Sequence, residues 1–151
     1  MSDAIWKQLA AEEGKRFCSD WLTVDQAMIA EFADLTRDWY AIHVDPAAAA
    51  AAGYDGVVAH GFLTLSLLSP LYTSCNRPVV EGVRSGVNYG LESVRFLSPV
   101  IAGSSIRGHF EITSVARREP NQIREVMDVT VEIEGKQKPA LAARWLTMYF
   151  L

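Results

Sequence analysis

The sequence lacks most features of membrane, secreted and disulfide-linked proteins. Its 151 residues contain no apolar run of about 18 residues or more, so no membrane span is expected. The N-terminal stretch has neither the basic segment nor the long apolar run of a signal peptide, which predicts a cytoplasmic protein. The two cysteines, Cys18 and Cys75, are far apart and have no CxxC spacing, so both are expected to be packing residues.

Histidine and positive charge are also sparse. The three histidines, His43, His60 and His109, form no HxxxH pair, so the sequence predicts no metal site. The formal net charge is −4, and the basic residues do not gather into one run. Binding to nucleic acid is therefore disfavoured, although a few local cations could still hold a small anionic ligand.

The first half of the chain contains helical patterns. Thr23 and Gln26 have capping-box spacing, with Asp25 as a competing cap, before an apolar face that continues to Leu35. The alanines of residues 47–52 predict a short helix between Pro46 and Gly53. Residues 59–71 are apolar almost all round, which predicts a buried helix, whereas residues 39–45 have no firm period and are expected to form a loop.

The second half is rich in β-branched and aromatic residues. Apolar and polar residues alternate most clearly from Met127 to Glu134, and a break falls at Pro120-Asn121. We interpret these segments as an antiparallel meander with one buried face in a single α+β domain of residues 1–151. The four predicted strands are Val87–Leu97, Ser104–Ala116, Ile123–Glu134 and Leu141–Phe150.

Two places in the sequence could carry chemistry. Asp38 and His43 can both accept or deliver protons near neutral pH, but by spacing alone they could equally be a surface carboxylate and a half-buried histidine. Gly61 opens the predicted buried helix, where free N–H groups can stabilise an oxyanion; it could also merely ease packing. His60 is expected to be a hydrogen-bonded structural residue rather than a base.

A resemblance to a known family narrows these alternatives. Residues 42–46, Ile-His-Val-Asp-Pro, and 59–68, beginning Ala-His-Gly-Phe, resemble the hydratase signature of MaoC-like proteins. Residues 88–100 resemble the nodulation-protein-N-like branch, and the resemblance covers roughly residues 20–150. It implies the hot-dog fold, an antiparallel sheet wrapped around a long central helix, and a homodimer.

The resemblance also implies an activity and a site. The activity is (R)-specific hydration of trans-2-enoyl-CoA, or the reverse dehydration, without a cofactor. This is a lyase reaction of the enoyl-CoA hydratase 2 type, in fatty acid metabolism. Asp38 and His43 match the catalytic positions, and Gly61 matches the position whose N–H contacts the thioester carbonyl. Ser69 matches an acyl-pocket position, and the expected substrate contacts are Tyr40, Phe62, Leu65 and Ser69.

The sequence departs from the family pattern around the catalytic pair. Arg37 stands where the signature has Gly, Tyr40 replaces an amide residue, and Ala41 replaces Pro or Trp. A positive φ at Arg37 would be costly, and a phenol is bulkier than an amide. Two other functions therefore remain open at this point: a hot-dog acyl-CoA thioesterase, and a non-catalytic dimer that binds acyl-thioesters.

Overall fold

A computed structural model describes residues 2–119 and 121–151 and shows an α+β architecture. No helix in the described residues is long and apolar enough to cross a membrane. The helices are α1 Ser2–Ala10, α2 Gln26–Thr36, α3 Ala41–Val44, α4 Pro46–Ala51, α5 Gly61–Ser66 and α6 Leu68–Thr73. The strands are β1 Arg16–Cys18, β2 Leu22–Val24, β3 Ser85–Phe96, β4 Ser104–Glu119, β5 Gln122–Ile133 and β6 Leu141–Phe150.

The predicted helices α2 and α4 are confirmed, and the structure shows which of the two candidate residues caps α2. The side chain of Asp25 accepts a hydrogen bond from the backbone N–H of Met28 at 2.8 Å, so Asp25 caps α2, while Thr23 lies in β2. Asp45 caps α4 in the same way. The expected loop at residues 39–45 is wrong in part, because α3 forms a short helical turn there.

All strand pairs in the sheet are antiparallel, in the order β1-β4-β5-β6-β3, and β2 also pairs with β4. Strands β4, β5 and β6 form the expected meander. The prediction is wrong for β3, which pairs with β6 and not with β4. After β3 the chain leaves this edge of the sheet. Ile101 then forms an isolated antiparallel bridge with Val58 before β4 begins. Strand β3 is therefore an edge of the sheet in the described part of the chain.

The alternation predicted for β5 is confirmed. Met127, Val129 and Val131 are almost completely buried, while Asp128 and Thr130 are exposed. At the predicted break, β4 and β5 stay paired up to Glu119 and Gln122, and Pro120 lies outside the described residues.

The predicted apolar helix is two short helices, α5 and α6, joined at Leu67. One side is buried and includes Leu63, Leu68 and Leu71, which belong to the main hydrophobic core. The expectation that the whole segment is buried is wrong, because the Phe62 side chain is 66% exposed. Helical side chains point in all directions, so a sheet on one side of this segment leaves the opposite side free to border a groove.

Candidate active site

The end of helix α2 determines where Asp38 lies. Arg37 follows the helix in the left-handed conformation, with φ 60°, and the backbone N–H of Asp38 donates to the carbonyl of Ala33 at 3.1 Å. A left-handed residue with a side chain costs about 1–2 kcal/mol, which is why Gly is common at such helix ends. The conformation is thus present here despite the arginine, and Asp38 directly follows the turn.

Three titratable side chains meet at this point. Asp38, His43 and His60 each offer a potential ligand atom, and these atoms all lie within 4.8 Å of one another. Asp38 is exposed, His43 is half-buried and His60 is buried. The structure therefore brings the predicted catalytic pair together, and it adds a third group.

The hydrogen bond of His43 defines which ring nitrogen is free. Its Nδ1 lies 2.5 Å from the carbonyl oxygen of Val58. A carbonyl oxygen can only accept, so Nδ1 carries the proton, and in the neutral ring Nε2 keeps its lone pair. His43 thus has an acceptor nitrogen available for a water molecule or a substrate.

His60 contacts both members of the pair. Its Nε2 lies 2.9 Å from the backbone carbonyl oxygen of Asp38, and its ring stacks on His43 with centroids 3.8 Å apart and planes 27° apart. This confirms that His60 is hydrogen-bonded, and the side chain is only 2% exposed. The sequence analysis missed its proximity to the pair, because residues 38 and 60 are far apart in the chain.

The three side chains also meet the distance criterion for a metal-ligand set. One nitrogen of each imidazole already contacts a backbone carbonyl, so each ring has one nitrogen left for a metal ion or a proton. That no metal is needed stays a prediction.

Gly61 and His43 border one cavity of about 320 Å³. Gly61 is the first residue of α5, and the first N–H groups of a helix have no acceptor within it. A Cβ atom at Gly61 would lie 3.1 Å from the ring of Phe96, which is a tight contact. Glycine therefore allows Phe96 to lie close to the backbone, next to an N–H that could donate to a ligand.

Three of the four predicted substrate contacts line one groove of about 410 Å³ between α5 and α6, here called the central helices, and strands β3 and β6. They are Phe62, Leu65 and Ser69. The ring of Phe62 meets that of Phe96 edge-on, with centroids 5.9 Å apart, so the groove and the Gly61 cavity lie on either side of this aromatic pair. Residues that the sequence analysis did not identify also line the groove, among them Tyr72, Trp145 and Thr147.

The fourth predicted contact, Tyr40, lies elsewhere. Its ring is edge-on to that of His43, with centroids 6.1 Å apart, and the residue is 65% exposed. Its backbone N–H donates weakly to the carboxylate of Asp38 at 3.4 Å. Tyr40 borders neither the groove nor the Gly61 cavity, so its role as a substrate contact stays a prediction.

A larger groove of about 730 Å³ lies over strands β1, β4, β5 and β6. Cys18, His109 and Arg144 are among its lining residues, but Asp38, His43 and Gly61 are not. Size alone does not identify a site. His43, which lies close to Asp38, borders the smaller cavity together with Gly61, whereas Asp38 itself is exposed and does not line it. We therefore place the candidate site at Asp38, His43 and Gly61.

Comparisons with known proteins identify the family and the fold. A family model described as a MaoC like domain matches residues 8–136. Nodulation protein N of Rhizobium meliloti (strain 1021) is 47% identical over 131 residues, which cover 86% of this chain and 81% of that protein. The 3-hydroxyacyl-thioester dehydratase Z of Mycobacterium tuberculosis (strain ATCC 25618 / H37Rv) is 40% identical over 142 residues, which cover 93% of each chain.

Solved structures show the same fold. The (R)-hydratase of Aeromonas caviae involved in PHA biosynthesis matches with a TM-score of 0.73 at 24% identity, over 90% of this chain and 95% of that one. A MaoC-like dehydratase from Rhodospirillum rubrum matches with a TM-score of 0.75 at 19% identity, over 91% and 92% of the two chains. The predicted hot-dog fold is thereby confirmed.

Proposed function

Because the chain belongs to the MaoC-like domain family, whose members similar to it include hydratases and dehydratases, we propose that it is an (R)-specific enoyl-thioester hydratase. It adds water to a trans-2-enoyl-CoA to give an (R)-3-hydroxyacyl-CoA, or catalyses the reverse dehydration. The observation that carries the proposal is that His43 lies close to Asp38 and borders the same cavity as Gly61.

The substrate carbonyl is assigned to the N–H of Gly61. In the reaction, the water oxygen bonds to C3, and the electrons of the C2=C3 bond move towards the thioester oxygen. An N–H at the start of a helix stabilises that developing negative charge, and losing one such donor typically costs about 10²–10³-fold in rate.

The water molecule is assigned to the pair Asp38 and His43. Asp38 takes a proton from the water as its oxygen bonds to C3, and His43, whose free Nε2 can accept a hydrogen bond from the water, orients it. The proton that the pair has taken up is then delivered to C2. The pair begins and ends with the same number of protons, so the added H and OH both come from one water molecule.

The acyl chain is assigned to the groove lined by Phe62, Leu65 and Ser69. Phe62, which follows Gly61 in the chain, lines this groove, and its ring contacts that of Phe96 in the Gly61 cavity. An acyl chain whose carbonyl is at the Gly61 N–H would therefore pass this aromatic pair to reach the groove. Its apolar lining, which includes Leu68 and Trp145, suits a hydrocarbon chain.

Replacing each member of the pair tests the chemistry. Asp38→Asn and His43→Gln should each slow the loss of the conjugated enoyl-CoA absorbance by roughly 10²–10⁴-fold, because each removes a proton-transfer group. Asp55→Asn and His109→Gln make the same chemical changes outside the site and should retain full activity. Full activity in Asp38→Asn or His43→Gln would refute the assignment.

The product separates hydration from other thioester chemistry. Chiral analysis should show the (R)-3-hydroxyacyl thioester, and a thiol reagent should detect no CoA release from a saturated acyl-CoA. Thiol release from the saturated substrate would instead support the thioesterase alternative, and tight binding without any reaction would support a non-catalytic protein.

A homodimer through strand β3 is also part of the proposal. Strand β3 is an edge of the sheet and carries exposed apolar side chains, among them Tyr89 at 60% and Phe96 at 47% exposure. An unpaired edge with apolar side chains is a template for pairing with a second copy. Light scattering should therefore give twice the mass of one chain, and Tyr89→Lys should shift the protein towards monomer.

Val79→Lys is the matched control for the dimer. Val79 is 91% exposed and lies outside β3, so the same change there should leave the dimer intact. A wild-type protein that is monomeric at micromolar concentration would contradict the proposed assembly.

A further inference from the structure

His60 occupies a helix cap without capping the helix. It precedes α5, where Ser, Thr, Asp or Asn are preferred because their side chains bind the free N–H groups of the first turn. The side chain of His60 makes no such bond and instead reaches across to the backbone carbonyl of Asp38. His60 is almost fully buried and does not stabilise the start of the helix. We therefore look for its role in the contact that its side chain makes with Asp38.

That contact defines the tautomer of His60. The carbonyl of Asp38 can only accept, so Nε2 of His60 donates, whereas Nδ1 of His43 donates to Val58. The two stacked rings thus hold opposite tautomers, each tied to a backbone carbonyl. Because both rings are anchored by the nitrogen that donates, neither can flip without breaking a hydrogen bond.

The remaining nitrogen of His60 has no partner. Its Nδ1 is buried and makes no hydrogen bond among the described residues. Within the described part of the chain, the bond to the Asp38 carbonyl is therefore the one hydrogen bond that holds this ring.

We propose that His60 is a positioning residue that acts on both catalytic groups. Its Nε2–H fixes the backbone at Asp38, and its ring face fixes the plane of His43, so that the His43 Nε2 and the Asp38 carboxylate face one water molecule. This inference rests on the proposed hydratase function. The hydration activity of the wild-type protein is therefore measured before that of any variant.

Two variants separate the two contacts. His60→Phe keeps a ring to stack on His43 but loses the donor, and His60→Gln keeps an N–H that can reach the Asp38 carbonyl but loses the ring. Misplacing a catalytic group by about 1 Å can cost about 10²-fold in rate, so we expect His60→Phe to lower kcat by up to that factor with KM little changed. His60→Gln should recover part of the loss.

Phe32→Leu is the matched control for packing. Phe32 contacts the His60 ring with centroids 5.0 Å apart but touches neither hydrogen bond. The Phe32→Leu variant should have a lower unfolding temperature than the wild type and almost the same kcat. If Phe32→Leu lowers kcat as much as His60→Phe does, or if the kcat of His60→Phe equals that of the wild type, the positioning role is wrong.

A measurement on the wild-type protein keeps the inference testable if the variants fail to fold. Nitrogen-15 NMR of the imidazole rings distinguishes the two tautomers without any substrate. The proposal requires His60 protonated at Nε2 and His43 protonated at Nδ1. The opposite tautomer at His60 would overturn it, whatever the activity of the enzyme.

Discussion

Arg77 is part of a buried cluster of charged and phenolic groups below the central helices. Its guanidinium binds Glu125 through two bonds, of 2.6 and 2.8 Å, and donates from Nε to Glu12 at 2.6 Å. The hydroxyls of Tyr72 and Tyr149 contact both Arg77 and Glu125. Burial acts to lower the pKa of Arg77, but the hydrogen bond and charge of Glu125 outweigh it and raise the pKa.

Arg77→Met should destabilise the fold severely. The side chain of Glu125 is completely buried, so removing Arg77 would leave its carboxylate with only two phenolic donors. Breaking a buried ion pair from one side costs about 3–5 kcal/mol, against a total stability of about 5–15 kcal/mol for a typical domain. For a chain of this size, the midpoint of thermal unfolding should fall by roughly 6–20 °C.

Urea unfolding followed by circular dichroism measures the effect. Arg77→Met combined with Glu125→Gln should be more stable than Arg77→Met alone, because the uncompensated charge is then gone. Arg107→Met is the matched control: its pair with Glu132 is about one-third exposed on both sides, and such a pair contributes only about 0–1 kcal/mol. If Arg77→Met costs no more than Arg107→Met, or if Glu125→Gln adds to its damage, the reasoning is wrong.

Three further measurements test local features. Arg37→Gly should raise the free energy of unfolding by about 1 kcal/mol in urea, because it relieves a left-handed residue. Burial, reinforced by Glu125, raises the pKa of Tyr72 and Tyr149, so stability should fall in urea titrations as the pH rises above about 10, where unfolded tyrosines ionise. Burial raises the pKa of Cys75 to about 11, so a thiol reagent should modify the exposed Cys18 first; equal rates would contradict this.

Local patterns in the sequence were enough to predict most elements of the fold. The alternation from Met127 to Glu134 identified β5 because one face of that strand is buried. Asp25 and Pro46 marked the starts of α2 and α4, since capping depends on neighbouring residues. The short strand β1 carries too few residues for a period to be visible, and its pairing with β4 is long-range.

The position of β3 could not be predicted in the same way. Its residues read as a strand, but whether it pairs with β4 or β6 depends on the path of the connection after Phe96. That path is fixed by tertiary contacts, such as the bridge between Val58 and Ile101 and the backbone bond from Ala59 to Val100. Consecutive strands often pair, so the meander was the natural but incorrect expectation.

The sequence motif alone did not reveal that three titratable side chains meet at the candidate site. Asp38 follows α2, His43 lies in α3 and His60 precedes α5, so the site is assembled from three short helical segments whose meeting no local period reveals. The residues between Asp38 and His43 depart from the family pattern, yet backbone carbonyls of Val58 and Asp38 orient the two imidazoles. Backbone acceptors do not depend on side-chain identity. Substitutions such as Tyr40 and Ala41 can therefore alter the rim of the site while the orientation of its proton-handling groups is preserved.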